Sequence, residues 1–368
     1  MNDAREFVIE EIRELDRFDS LREPWNRLLA ASEHDLPFLS HEWLRLWWKH
    51  FGGNRRLAVF WVLRGGHPVL AVPLMEVRSR FLGLPFTVLQ SMTNEHSFRF
   101  DLILRRRAED AVEALFRHLV ARGGWNLVQL RDVVTLDCSA EQLLQIARSA
   151  RHPTGVWRSY ESPFLVPDGS FEQYKSHLKP KLRRNLRNRM KRLSALGGVT
   201  FEIVEDPARA GALLPMGFAL EGSGWKREAG SAIASDPTLT AFYGDWARLA
   251  GERGWLRLHF LRVGGRYIAF DYSLRYGGRV YCLKIGYDPE FAPYSAGQLL
   301  KERILQRVHA EEVREYDFLG PMIDAKRDWN PQSRRHAWLF LYGRDPRSRL
   351  AHAYKFGLRA GVRRLLGP

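Results

Sequence analysis

The sequence predicts a mixed α/β chain made of two tandem units of similar plan, each a mixed sheet flanked by helices. Two stretches carry the prediction, LAVFWVLRGGHPVLAVPLMEV from Leu57 and LRLHFLRVGGRYIAFDYSLRYGG from Leu256. Each runs an apolar strand into a Gly-Gly turn and returns as a second apolar strand, the pattern of a β-hairpin. After each hairpin the same order recurs: a strand, a helix, a further strand. In the first half these are FTVLQSM, a helix from about Ala108 to Ala121, and WNLVQLRD; in the second, RVYCLKIGYD, a helix from about Gly297 to Ala310, and VREYDFLG. One shared hairpin is common by chance, but five elements repeated in order indicate a duplicated unit.

Composition agrees. Over 368 residues, 45% are hydrophobic and 27% charged, which excludes a disordered chain and a bundle of membrane spans and leaves material for two cores. The division read from the sequence is 1–155, a Pro- and Ser-containing linker over Arg151–Asp168, a second domain at 169–343, and a basic tail at 344–368. Each half opens with a helical stretch. In the first, Trp43, Trp47 and Phe51 share one helical face and read as core.

The formal charge is +15, and it is local. Lys175–Arg192 holds nine basic residues and no acidic one, Arg344–Pro368 carries a net +6, and the remainder is formally neutral. Leu178, Leu182, Leu186, Met190 and Leu193 recur at helical spacing through the first segment, and Leu350, Tyr354, Leu358, Val362 and Leu365 through the second. Both read as basic amphipathic helices. The plain reading is docking on the protein with solvated cations; the functional one is a phosphate-bearing ligand for the first and an anionic membrane surface for the tail. Nucleic acid is disfavoured, because no recognition motif accompanies the charge. No apolar run reaches the length of a spanning helix and the start is too acidic for a signal peptide, so the expected location is cytoplasmic, at most peripheral at the inner face of the membrane. Cys138 and Cys282 lack His or Cys neighbours at ligand spacing, so neither a disulfide framework nor a metal site is expected.

The chemistry concentrates in YCLKIGYDPEFAPYSAGQLLKERIL. A strand over Val280–Tyr287 ends at Asp288-Pro289, and a helix begins near Gly297. Ser295, Ala296 and Gly297 are small, so a phosphate could approach the free N–H groups of that helix start. Asp288, Tyr294 and Ser295 fall at the carboxyl end of the strand, where α/β ligands bind. Lys284 lies within the strand and Asp317 on the one expected beside it, which suggests an ion pair, structural or substrate-orienting. Lys326, with Trp329, follows the last strand, and Trp225 and Lys226 follow Glu221 in a Gly-containing loop suited to an acceptor. In the first half, His96 with Asn94 is the counterpart of the donor loop. An imidazole can take the proton lost by an attacking ammonium, and Glu221 and Asp271 are its rivals for general base.

These segments resemble a known family. PFLSHEWLRLWWKHFG, KPKLRRNLRNRMKRL, SGWKREAGSAIA, LKIGYDPEFAPYSAGQLL and EYDFLG, spread over roughly 20–340, are together similar to the GNAT-type acyltransferases of the CelD-like branch, related to the tandem-GNAT Fem peptidyltransferases. The resemblance implies two GNAT-like folds, acyl-CoA as donor, and its pantetheine between strands Val280–Tyr287 and Val313–Leu319. It implies an oxyanion held by backbone N–H groups around Lys284, Ile285, Gly286 and Tyr287, and phosphates at Ser295, Ala296, Gly297 and Gln298. The sequence departs from the usual GNAT pyrophosphate signature, whose positions fall on Ala292, Ser295 and Gly297 with only the last retained. The expected reaction is acylation of an amine or hydroxyl on a cell-envelope lipid or glycan. A sphingoid-type amine, as in bacterial ceramide synthesis, leads an exopolysaccharide sugar. A Fem-like aminoacyl-tRNA ligase and a silent membrane scaffold are the rivals, with tRNA the disfavoured donor and DNA excluded.

Overall fold

The computed structural model describes residues 6–134, 138–223 and 232–358. The chain forms two compact units, one of residues 1–160 with 335–368 and one of residues 161–334.

The first unit begins with β1 (Phe7–Ile12), α1 (Leu15–Ser20), α2 (Arg22–Ala30) and α3 (His41–Phe51). Ser40 caps α3, its hydroxyl accepting the Trp43 N–H, and Trp43 and Trp47 are buried on the inner face as the spacing requires. Next come β2 (Arg56–Arg64), β3 (His67–Phe81), β4 (Leu84–Ser91), the short β5 (Ile103–Leu104), α4 (Asp110–Arg122), β6 (Leu127–Val134), α5 (Ser139–Ser149) and β7 (Thr154–Leu165), whose last five residues belong to the second unit. β1 to β4 pair antiparallel in chain order, β5 adds to β3, and β6 lies parallel to β4 with α4 as the crossover. Gly65 and Gly66, both at positive φ, make the β2–β3 turn.

The second unit holds α6 (Phe171–Ser176), α7 (Pro180–Ser194), β8 (Val199–Val204), α8 (Pro207–Glu221), α9 (Pro237–Glu252), β9 (Leu256–Val263), β10 (Arg266–Tyr276), β11 (Arg279–Tyr287), α10 (Ala296–Ala310), β12 (Glu315–Asp317) and α11 (Asp324–Arg327). The plan repeats: β8 to β11 pair antiparallel in order and β12 lies parallel to β11 across α10. One face of this sheet is covered by α6, α7 and α10, whose Phe171, Leu182, Leu186, Leu299, Leu300 and Ile304 share a core. α8 packs on the other face, where Gly217 admits the Phe270 ring.

The sequence-based boundaries differ at the end of each half. Beyond β12 the second sheet is completed by the end of β7, through Leu165 opposite Tyr316 and Phe164 opposite Asp317. The last strand, β13 (Gln332–Tyr342), instead pairs antiparallel with β6 of the first unit. Residues 335–343 thus leave the expected 169–343 domain. The tail also joins the first unit: α12 (Pro346–His352) is capped by Asp345, and Ala351 and Phe356 pack with Phe86, Phe340 and Tyr342. Of the expected apolar stripe, Leu350 and Tyr354 are exposed, and Val362 and Leu365 lie outside the described residues.

Candidate active site

In the second unit, β12 pairs along its whole length with only the first three residues of β11. Their register covers three pairs, from Arg279–Glu315 to Tyr281–Asp317. β11 then continues for six residues to Tyr287, still paired with β10 on its other side. The chain after Asp317 turns away: Leu319 and Gly320 adopt positive φ, Phe318 N–H donates to Pro163 O (3.1 Å), and Met322 N–H to Glu161 O (2.9 Å). A wedge opens between the two strands. At its apex the register with β10 slips between Tyr272–Lys284 and Ser273–Cys282, leaving Leu283 as an extra residue on β11. A bulge of this kind twists a strand and takes peptide groups out of the ladder, which suits them to a ligand.

The open edge of β11 runs directly to the start of α10. Ser295 precedes the helix at φ 49° and ψ 51° without a side-chain cap, and Gly297 sits close enough that a Cβ there would lie 3.6 Å from the Tyr287 ring. Strand edge and helix N-terminus are therefore contiguous, and the first turn directs N–H groups and positive dipole toward the wedge mouth. Arg192, at the end of α7, stacks over the Tyr294 ring (5.2 Å) just before it.

A buried polar cluster lies behind the apex, on the α10 side of the sheet. Lys301 of α10 donates from Nζ to Asp271 Oδ2 (2.9 Å), to the Tyr316 hydroxyl, and to Cys282 Sγ (3.4 Å), so its three protons meet three strands. Asp271 also accepts from the Ser273 hydroxyl and from Cys282 Sγ (3.1 Å), with His259 Nδ1 3.3 Å away. Burial pushes the Asp271 carboxyl toward neutrality, but Lys301 and His259 outweigh it and hold it below the ordinary carboxylate range. Lys301 is raised: burial opposes its charge and Asp271 more than restores it. Burial pushes the Cys282 thiol up to about 11, which leaves it unreactive.

This arrangement corrects several expectations. Asp271, expected as a rival general base, is sealed in the core with its carboxylate committed to Lys301, Ser273 and Cys282. Asp317 does not lie opposite Lys284. Tyr281 is its neighbour in register, its ion partner is Arg334 (3.4 Å), and it accepts the Leu319 N–H. Lys284 points to the other face, its Nζ 5.3 Å from the Tyr243 ring centre. Gly286 is required by packing: a Cβ there would fall 2.3 Å from Glu221 Cα. Ile285 and Tyr287 are exposed on the open stretch of β11. Asp288 caps the following turn and pairs with Arg266, so it is spoken for. Gln298 bridges Ala325 O (3.0 Å) and the Trp329 indole N–H (2.7 Å), which diverts it from a ligand. Lys326 donates to Leu319 O and to Pro321 O (3.1 Å), bracing the turn that opens the wedge. Asn94 holds its own loop by accepting the His96 N–H (3.0 Å). His96 is buried in the first unit with its ring stacked on Phe51. Trp225 and Lys226 lie outside the described residues. Glu221 is buried at the end of α8, against the backbone of β11, and its Oε2 accepts the Ile233 N–H (2.9 Å).

Lys301 was missed by the sequence reading. The signal was present, since it falls on the same helical stripe as Ile304, Leu305 and Val308, where a lysine has to find an internal partner.

A strand pair that parts at a bulge, beside the N-terminus of the crossover helix, is the donor arrangement of GNAT-type acyltransferases. Residues 180–327 match the acetyltransferase (GNAT) domain family. No curated protein matches the sequence. Among solved structures, FemX superposes with a TM-score of 0.64 at 11% identity, covering 93% of this chain and 100% of FemX. The C-terminal domain of a putative lysylphosphatidylglycerol synthetase from Agrobacterium fabrum gives 0.52 at 14% identity, covering 92% of this chain and 96% of that one. L-PGS from Bacillus licheniformis gives 0.53 at 12%, covering 94% and 97%. At these identities the likeness is one of fold. The match gives residues 180–327 an acetyltransferase (GNAT) domain, which supports an N-acyltransferase activity, and the superposed structures agree in fold.

Proposed function

We propose that the protein transfers an acyl group from acyl-CoA to the amine of a cell-envelope acceptor, by direct attack on the thioester within the second unit. The observation that carries this reading is the wedge beyond Tyr281 and Asp317, with the bulge at Leu283 and the uncapped start of α10 in line with it. The pantetheine would add to the open edge of β11, its amides replacing the missing partner strand, and the pyrophosphate would meet the N–H groups of Ala296 and Gly297. The carbonyl oxygen that gains charge during attack would be held by backbone N–H groups around Lys284–Tyr287. The acceptor would enter from the α8 and α9 face, where Glu221, buried against β11 and accepting the Ile233 N–H, would take the departing proton once the acceptor amine reaches it. A long-chain amine is the favoured acceptor and an amino sugar the next.

One observation favours a second donor. Lys179 at the entry to α7 and Lys181, Arg184, Arg187 and Lys191 on it are exposed and have no acidic partner among the described residues. A groove of about 470 Å³ beside them, between α6, α7 and α10, is lined by Arg183, Arg187 and Arg303, with Glu302, paired to Lys175, and Glu172 at its side. That surface also suits the phosphates of an aminoacyl-tRNA. The deciding experiment measures thiol release from acyl-CoAs of increasing length with a panel of long-chain amines and amino sugars. Turnover with at least one pair is expected. No CoA binding together with salt-sensitive tRNA binding would replace acyl-CoA by aminoacyl-tRNA, and neither activity would leave a catalytically silent scaffold.

A further inference from the structure

The first unit carries a protruding apolar tip ringed by cations. β3 and β4 pair as far as Phe81 opposite Leu84, so Leu82 and Gly83 form a two-residue turn, with φ of 50° and 79°. Such a turn favours Asn or Gly at its first position, and a leucine there is strained. This leucine is also 73% exposed, and Leu84 across the turn is 51% exposed. Folding gains nothing from an apolar side chain in that place.

A second exposed apolar row lies beside it. Leu350 on α12 is 52% exposed and Tyr354 just beyond it 49%. The two elements are joined: the Phe81 and Tyr354 rings lie 6.1 Å apart, and Arg347 of α12 donates to Pro85 O (3.2 Å). Ala351 and Phe356 fasten the other side of this segment to the sheet, so its outer side faces solvent by construction. Arg80 on β3 and Arg347 and Arg349 on α12 are exposed on the same elements, while Arg78 pairs with Glu76 (3.4 Å) and Arg344 is held by Ala150 O. The acids on these elements are occupied: Glu76 is buried against Arg13 and Arg78, and Asp345 is held by the first turn of α12 and by Ser348.

We propose that the β3–β4 tip and the outer face of α12 form one docking surface for an anionic lipid bilayer, with Leu82, Leu84 and Leu350 entering the interface and the surrounding arginines meeting lipid phosphates. The arrangement favours a bilayer over a protein partner. Separate leucines on a projecting turn, spaced by guanidinium groups, fit a fluid apolar layer beneath a sheet of negative charge, whereas a protein interface centres on a packed apolar core depleted of charge.

The test is co-sedimentation of the full chain with phosphatidylcholine vesicles, with and without phosphatidylglycerol, and it needs no acyl transfer, so its failure leaves the reaction assignment standing. Binding is expected only to vesicles containing phosphatidylglycerol, and it should weaken with salt. Leu82→Asn with Leu84→Thr should lower partitioning about tenfold or more. Asn suits the left-handed position, so the variant should unfold at the same or a higher temperature, which separates lost binding from lost fold. Arg80→Glu with Arg349→Glu should reduce binding further at low salt. Wild type that stays in the supernatant, or a leucine variant that sediments like wild type, overturns the proposal. Concentration-dependent dimerisation that the leucine variant abolishes, without vesicle binding, would assign the surface to a second copy of this chain instead.

Discussion

The two halves of the chain repeat one plan, and they differ at the place where the parallel strands part. In the second unit β11 outruns its pairing with β12 by six residues and leaves an open edge. In the first, β4 ends at Ser91, one residue past its last pair with β6, Gln90 opposite Gln129. The gap there is filled from within. The Ser91 hydroxyl accepts the Arg131 N–H (3.0 Å), and the loop beyond returns to form a parallel bridge of Phe100 with Val133, its N–H bonded to Asp132 O (3.1 Å). The cores diverge as well. In the hairpin register that aligns the two Gly-Gly turns, His259 and Asp271 occupy the places of Phe60 and Val72, and Ser273 that of Leu74. One copy thus keeps an apolar core and a sealed strand pair, and the other places an ion pair behind an open wedge. Duplication followed by closure of one site accounts for both.

Removing Leu283 tests the comparison most severely. Without the bulge, Lys284–Tyr287 would exchange faces, and acyl-CoA turnover should fall by about 10³-fold or more, below detection in a thiol-release assay. Glu221→Gln comes next, with a loss of about 10²–10⁴-fold in kcat and little change in KM for the donor; an unchanged kcat removes it as the base. Lys301→Met removes the buried ammonium paired with Asp271, leaving only His259 beside it, and should cost about 3–5 kcal/mol in urea unfolding. The Lys301→Met, Asp271→Leu double variant should recover much of that, because an apolar residue at the Asp271 place is already tolerated as Val72 in the first unit.

The pH dependence of this pair follows from its shifts. The depressed Asp271 contributes stability above the unfolded carboxyl pKa near ~4, and that contribution is lost as pH falls through its lower folded value. The raised Lys301 contributes fully below the unfolded lysine pKa near ~10.4 and is lost as pH rises through its folded value. The difference in unfolding midpoint between wild type and the double variant should therefore be flat between these limits and change outside them. The smallest effect is expected from Ser91→Ala, about 1 kcal/mol of stability with donor KM unchanged. A raised donor KM would show that the first unit's seam matters to the reaction.

Much of this was legible in the sequence where local chemistry dictates form. The Gly-Gly turns with their flanking apolar runs, the leucine stripe of α7 and the small residues entering α10 depend on neighbours in the chain. Long-range pairing was not legible. Nothing local in Gln332–Tyr342 distinguishes β6 from β12 as its neighbour, since both offer an edge. The bulge at Leu283 is likewise invisible, because the slip exists only relative to Tyr272 and Ser273. Site residues misread from sequence, such as Asp288, Gln298 and Lys326, are polar groups beside the wedge whose hydrogen bonds are spent on the turns that shape it.

The exchanged final strands have a consequence for how the protein comes into being. The edge of β6 receives its partner only from residues 336–342, about two hundred positions later in the chain. During synthesis the first sheet must wait with that edge unpaired while the second unit emerges. Such a delay raises the cost of loop closure and exposes a strand edge to wrong partners. Refolding should show a slow step common to both units, and a nascent chain halted before residue 332 should be held by chaperones.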